Sequence, residues 1–487
     1  MTSRKPDGEP KGTHRLPYSL LMTATAVVAA LCTAAPAVAA GPPVPTAPVA
    51  TSSASAAGGE AGGTGTSKSG DREVIAGLER HAHPLRTTEP GGSGQDLAAL
   101  SRMVRGATIV GVGEATHGSK ELFALKDRLF RHLVATRGFT TFGMEASWSS
   151  GVRLDRWVTS GEGDLRQIMR EEFQGGYGIW NNGEFLRLFS WMREYNRNTP
   201  DRPLRIMGND VNDVGPEQYE RILDRAGEDH PELLPELRQR YAGLRALPKS
   251  VAEREEAMAT KPLAERRQFA TDAKGAYELL KRAPGVDSWL LQEARAVSQV
   301  SSLLAFDFGD EAQQAPMNRQ RDRAMAENTV WWQRHIGGKV LVSAHNAHLG
   351  YTSPDPTTHP VVQGADLREL VGRDYVSIGT AIHSGRYRAT DMRTGQRGVF
   401  DTGPAAPGSN EHLLDRVSHH DYYVDLRTAR RDPVLNRWLS RDRPTFVVPA
   451  GYPNETSQVA LGATFDVLVH LHRVEENTEV PGNAATP

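Results

Sequence analysis

The sequence predicts an α/β fold: a largely parallel sheet flanked by helices, with a helical insertion between the third and fourth strands. Three observations carry this. From about residue 73, short β-branched runs alternate with segments of helical period. One stretch, 215–338, interrupts the alternation with charge-rich helical sequence alone. Several strand-like runs lead directly into Glu, Asp or His, residue types that would then share the ligand-binding edge of a parallel sheet.

Taken in order, residues 1–40 read as a secretory signal peptide, so a secreted protein is expected. Arg4, Lys5, Lys11 and Arg15 form a basic start, an uncharged stretch runs from Leu20 to Ala35, and "APAVAA" offers small residues for cleavage near Ala39 or Ala40. An uncleaved anchor is the alternative, because the apolar stretch approaches the length of a membrane span. No twin arginine precedes it. The single cysteine, Cys32, lies inside this segment, behind Leu31 where a lipoprotein signal has a small residue. The mature chain would therefore hold no disulfide and no thiol nucleophile. Residues 41–72 are rich in Pro, Ala, Ser, Gly and Thr without an aromatic residue and read as a disordered linker, since they cannot bury enough apolar surface to offset ordering.

An α/β catalytic domain is expected over 73–214 and 339–475. Its strand-like runs are "ATIVGVG" (107–113), "FTTFGM" (139–144), "LRIMG" (204–208), "KVLVSA" (339–344), "YVSIGTAI" (375–382), "YYVDL" (422–426), "TFVVPA" (445–450) and "DVLVHLH" (466–472). After the first, Leu122, Leu129 and Leu133 mark one helical face. Within 215–338, Leu290, Ala294, Val297, Ser301 and Leu304 follow a helical period, and the charge runs read as solvated faces of a helical cap. Residues 476–487 read as a disordered tail.

The composition suits a soluble globular protein: 24% charged, 38% hydrophobic, with 57 basic residues against 59 acidic. That balance points to neither nucleic acid nor, after signal cleavage, a membrane surface. A monomer acting on a small molecule is expected.

The chemistry sits at the strand ends. Glu114 and His117 follow the first run, Glu145 the second, Asp210 the third, and His345 and His348 the fourth. Lys126 falls on the apolar face of its helix, where an unpaired ammonium would be costly, so it needs a carboxylate such as Glu145 or Glu114 unless it snorkels to the sheet edge. No G-x-S-x-G elbow precedes a helix. A His beside a carboxylate can act as a general base on water, and a cation or second His can stabilise an oxyanion. The same His and Glu residues could instead ligate zinc or manganese.

"GVGEATHGSKELFALKDRLFRHLV", "GFTTFGMEAS", "YGIWNNGEFLRLFSWMREYN", "RIMGNDV", "NRQRDRAMAENTVWW", "LVSAHNAHLG", "GSNEHLLDRV" and "TFDVLVHL" together resemble the erythromycin esterase family, over about residues 77–473. The resemblance implies hydrolysis of a macrolide lactone by His-activated water, with no cofactor or required metal, on an α/β core with helices over the cleft. It places His117 as general base, Glu114 and Glu145 as supporting carboxylates, Lys126 at a basic position, and His345 with His348 as a second imidazole pair. Arg321 and Asp322 belong to a further motif, expected at the substrate with Asp210. Trp180 would line the pocket or sit in the core. Family enzymes of the resistance type act inside the cell, unlike the exported protein expected here. A metal-dependent hydrolase and a secreted protein that only sequesters a small molecule are the alternatives.

Overall fold

A computed structural model describes residues 64–480 except 449 and 455; the expected signal peptide and all but the last residues of the expected linker lie outside the described residues. The strands are β1 (His83–Pro84), β2 (Ile109–Glu114), β3 (Phe139–Ser147), β4 (Arg205–Asp210), β5 (Lys339–His345), β6 (Tyr375–Asp391), β7 (Arg397–Asp401), β8 (Tyr422–Asp425), β9 (Arg443–Phe446), β10 (Gly451–Tyr452), β11 (Thr456–Val459) and β12 (Val467–Val474). The main sheet runs β1-β8-β12-β6-β2-β5-β3-β4, with β7 and β10 attached to β6. From β12 to β4 all neighbours are parallel; β8 and β1 complete one side antiparallel.

β2 is buried at every position, as expected of a central parallel strand covered on both faces. Its Val110 and Val112 face one core with Leu122, Leu129 and Phe130 of helix Lys120–Arg137. Ile109 faces a second, with Trp148, Trp332, Val340 and Leu349. The insertion comprises helices Pro216–Asp229, Leu234–Arg245, Val251–Thr260, Leu263–Arg282, Ser288–Leu304 and Glu311–Ile336, and buries a core of its own that includes Tyr219, Ile222, Leu237, Tyr241, Leu290 and Val297.

Three expectations need correction. Residues 64–72 are not linker but the start of helix Thr64–His81, which Val74 and Leu78 anchor in a cluster with Tyr422, Leu435 and Trp438; once that turn is docked, helix propagates upstream at small cost. "TFVVPA" is no strand of the main sheet, because β9 pairs only with β11. The expected tail is packed as far as Val480, itself buried: Glu476 bridges to Ser119 and Glu479 to Asn182. No helix among the described residues is long and apolar enough to cross a membrane.

Candidate active site

The order β2-β5-β3-β4 sets the C-terminal ends of four strands side by side. Glu114 lies opposite His345, and Ser147, two residues beyond Glu145, lies opposite Asp210. All four functional residues are buried.

Glu114 ends β2, and the turn after it brings His117 back so that its Nδ1 lies 2.9 Å from Glu114 Oε1. Since an ionised carboxylate only accepts, the proton is on Nδ1 and Nε2 is left as the base. The other oxygen of Glu114 contacts Lys126 Nζ, which also donates to Ser343 Oγ at 2.9 Å and to the Ala344 carbonyl at 3.3 Å. Of the two expected carboxylates, Lys126 therefore takes Glu114. The turn needs a glycine at 118: a Cβ there would lie 2.1 Å from the Arg388 carbonyl.

Glu145, on β3, accepts the His345 backbone N–H at 2.9 Å with Oε2, while Oε1 meets Arg321 at 3.2 Å and His348 Nε2 at 3.4 Å. Arg321 reaches in from helix Glu311–Ile336. Its Nε and second nitrogen grip Asp210 at 2.9 and 2.7 Å, and its remaining nitrogen lies 3.3 Å from His348 Nε2. His348 Nδ1 lies 2.6 Å from Asp322 Oδ1. A neutral His348 thus donates to Asp322 and accepts from Arg321; a protonated one turns its Nε2–H toward Glu145.

These surroundings drive the imidazoles apart. Burial lowers the pKa of His117 to about 4, against the pull of Glu145, so its ring is neutral at pH 7. Burial also opposes charge on His348, but Asp322 and Glu145 outweigh it and raise that pKa above the ordinary value. Burial pushes Lys126 well below the usual ammonium range. Burial would raise Glu145, yet His348, His117 and Arg321 hold it far below the usual carboxylate range.

The sequence model of the erythromycin esterase family matches residues 134–474. This chain belongs to that family. The matched stretch opens after the Glu114–His117 turn, but relatives align over more. Erythromycin esterase type II of Escherichia coli is 25% identical over 378 residues, 72% of this chain and 88% of that protein. The putative hydrolase YbfO of Bacillus subtilis is 23% identical over 424 residues, 82% of this chain and 90% of that protein. A crystal structure of a Bacillus cereus protein superposes with a TM-score of 0.75 at 30% identity, covering 84% of this chain and 99% of that one. The protein is accordingly an esterase-like hydrolase of the erythromycin esterase family.

In this family member the structure distributes the expected site residues differently from the sequence reading in three places. His345 is not one of an imidazole pair: its Nε2 lies 3.3 Å from the Ala115 carbonyl and its Nδ1 accepts the Ala347 N–H at 3.2 Å, so both nitrogens are spent on backbone. Asp210 does not face substrate, because both oxygens hold Arg321. Asp322 likewise faces His348 and the Gln363 N–H rather than a ligand. Trp180 does both of the things expected of it. Its ring packs edge-on against His117 at 4.8 Å with Nε1 donating to the Glu145 carbonyl at 2.8 Å, and it also lines a cleft.

That cleft has Glu145, Arg321 and Trp180 at its floor, and Val214, Leu244, Met258, Val300, Leu304 and Phe308 in its walls, all from the insertion or the segment leading into it. Sequence reasoning missed Ser343, Tyr177 and the insertion side chains Arg254 and Glu255. Ser343 sits on β5 two residues before His345, where a small polar residue carries no signal of its own; Tyr177, Arg254 and Glu255 lie on helical segments and reach the cleft through helix packing, which spacing does not mark. It also missed the C-terminal segment, where the Asn477 N–H donates to the Gly118 carbonyl at 2.8 Å and its side chain lies 3.5 Å from the His117 carbonyl.

Glu114, His117 and Glu145 each offer a ligand atom within 4.8 Å of the others, as a metal site would require. Their carboxylates are already occupied, Glu114 by Lys126 and Glu145 by Arg321. A divalent cation would have to displace or neighbour two buried cations, so this donor set fits a metal poorly.

Proposed function

We propose that this protein is a secreted carboxylic ester hydrolase that opens a macrolide lactone, or a related bulky ester, with water activated by His117. One observation carries the reading: Glu114 fixes His117 with its proton on Nδ1, leaving a neutral Nε2 next to Glu145 and Trp180, which line a mostly apolar cleft. His117 Nε2 takes a proton from water as the new C–O bond forms at the ester carbonyl. Arg321 and protonated His348 stabilise the oxyanion, and His348 supplies the proton to the leaving alkoxide as the ester C–O bond breaks. Two imidazoles whose pKa values are driven in opposite directions support this division into base and acid.

Incubation of the mature protein with erythromycin, followed by mass spectrometry, is expected to show a product heavier by one water. His117→Ala is expected to lower kcat about 10²–10⁴-fold. An unchanged macrolide removes the substrate, and full activity of His117→Ala on any ester removes the mechanism. Export is read from the N-terminal segment, and recovery from the culture medium of a monomer starting near residue 41 tests it.

The convergence of Glu114, His117 and Glu145 favours one second reading, a metallohydrolase. Activity abolished by a chelator and restored by zinc or manganese would establish it. We expect undiminished activity after chelation, because Lys126 and Arg321 already balance the carboxylates.

A further inference from the structure

We infer that the Tyr177 hydroxyl is a hydrogen-bond donor to the ester carbonyl oxygen, holding the oxyanion beside Arg321 while His348 gives its proton to the leaving alkoxide. This rests on the ester hydrolase reading for turnover but not for anion binding.

Tyr177 and Trp180 lie three residues apart on the 3-10 helix Gly175–Trp180. Three residues make one turn of such a helix, so both side chains leave it on one side, and both line the cleft with Glu145 and Arg321. Trp180 spends its polar group on the Glu145 carbonyl. Tyr177 does not: it is buried, and among the described residues its hydroxyl has no hydrogen-bond partner. The Asn212 backbone N–H acts on its oxygen only as a donor, which leaves the hydroxyl proton without an acceptor. Asp210 is near enough for its charge to act on the hydroxyl, but it cannot take that proton either. Its Oδ1 already accepts from Arg321 Nε at 2.9 Å and the Val211 N–H at 2.7 Å, and its Oδ2 from the second Arg321 nitrogen at 2.7 Å and the Asn212 side chain at 3.2 Å. Two donors on each oxygen fill the acceptor sites of a carboxylate.

A buried hydroxyl with an unspent proton costs stability unless a ligand takes it. Burial, with the charge of Asp210 adding to it and Arg321 opposing, holds its pKa well above the ordinary phenol value, so the group is a donor at neutral pH. The reaction has a use for that donor. As the water oxygen bonds to the carbonyl carbon, His117 takes a water proton and the C=O π pair moves onto the carbonyl oxygen. His348 cannot hold that oxyanion to the end. Once its Nε2 proton has gone to the leaving alkoxide, with the carbonyl re-formed and the ester C–O bond broken, the bare Nε2 is an acceptor. Arg321 is shared among Asp210, Glu145 and His348. A fixed hydroxyl in a water-excluded site stabilises the developing charge without reorganising. Tyr177 keeps its own proton throughout.

Tyr177→Phe removes the hydroxyl and keeps the ring. On any ester that the wild-type protein hydrolyses, the variant is expected to lower kcat about 10²-fold with KM little changed. Its melting temperature is expected to be equal or higher, because deleting an unpaired buried hydroxyl breaks no bond. A merely structural tyrosine would give the reverse, an unchanged kcat with a lowered melting temperature, and an unchanged kcat overturns the proposal. Calorimetric binding of phenyl methylphosphonate, an anion with the tetrahedral oxygens of the intermediate, separates this donor from the hydrolase reading. Tyr177→Phe is expected to weaken that binding about tenfold. If the wild-type protein hydrolyses no ester and this weakening is found, the hydrolase reading fails and the donor stands. Equal binding by both full-length proteins, or none by either, sinks the donor whatever the activity.

Discussion

At the scale of single residues, Glu114 is the pivot of the site, since one carboxylate meets both His117 and Lys126 with no exposure to water. Removing Lys126 leaves the Glu114 carboxylate buried without a counter-charge, because its other partner, His117, is neutral. Lys126→Met is therefore expected to cost about 3–5 kcal/mol of stability, read by urea unfolding, and to cost activity through a mis-set His117. The two imidazoles predict a bell-shaped pH profile of kcat/KM. His117 must be neutral to accept a proton, so the acid limb falls near its pKa of about 4. His348 must be protonated to donate, so the alkaline limb lies above 6.5, in the direction its pKa is raised. The same shift makes His348 stabilising below its unfolded pKa, and that stabilisation lapses as pH rises through the folded value. An alkaline limb that survives His348→Gln would refute the assignment. At this scale the sequence was readable where a residue sits at a strand end, as Glu114, Glu145 and His117 do. It was misleading for His345 and Asp210, because a burial pattern reports that a polar side chain is interior but not which partner consumes it.

At the scale of elements, the turn holding His117 is clamped from outside the strand that feeds it. The Lys120 N–H donates to the Glu475 carbonyl at 2.8 Å, Asn477 to Gly118 at 2.8 Å, and Gly183 to the Thr478 carbonyl at 2.7 Å. The last residues thus tie the turn at 117–120 to the start of helix Gly183–Asn198, which follows Trp180. A chain ending at Val474 is expected to fold with a lowered melting temperature and to lose about 10–100-fold in kcat/KM, since small misplacements of a positioned base are expensive. Unaltered kinetics in that truncation would show the clamp to be irrelevant to catalysis. The segment looked like a tail because four or five residues of main-chain pairing leave no periodic signature. The strands of the parallel core were legible for the opposite reason: buried on both faces, they are written as β-branched runs.

At the scale of the whole molecule, the strand ends supply the groups proposed for acid–base work, and the insertion supplies Arg321 and most of the cleft's apolar wall. Helix Glu311–Ile336 joins the two, carrying Arg321 to Asp210 and Glu145 at one point and Trp332 into the sheet core at another. Cap position and catalytic geometry are therefore coupled through that helix. Arg321→Lys, which cannot grip Asp210 with two nitrogens and still reach Glu145, is expected to lower kcat more than it raises KM, read in steady-state kinetics on whichever ester the protein hydrolyses.

By itself the sequence determined the α/β class and the family, because each is written as local period or as motif in linear order. Tertiary structure alone decided the rest. It determined that Glu114 and not Glu145 takes Lys126, that His345 is spent on backbone, and that Asp210 and Asp322 hold other side chains. The physical reason is the same in each case. A buried polar group must find a partner, but which partner it finds depends on groups that folding brings within about 3 Å, a proximity no local pattern encodes.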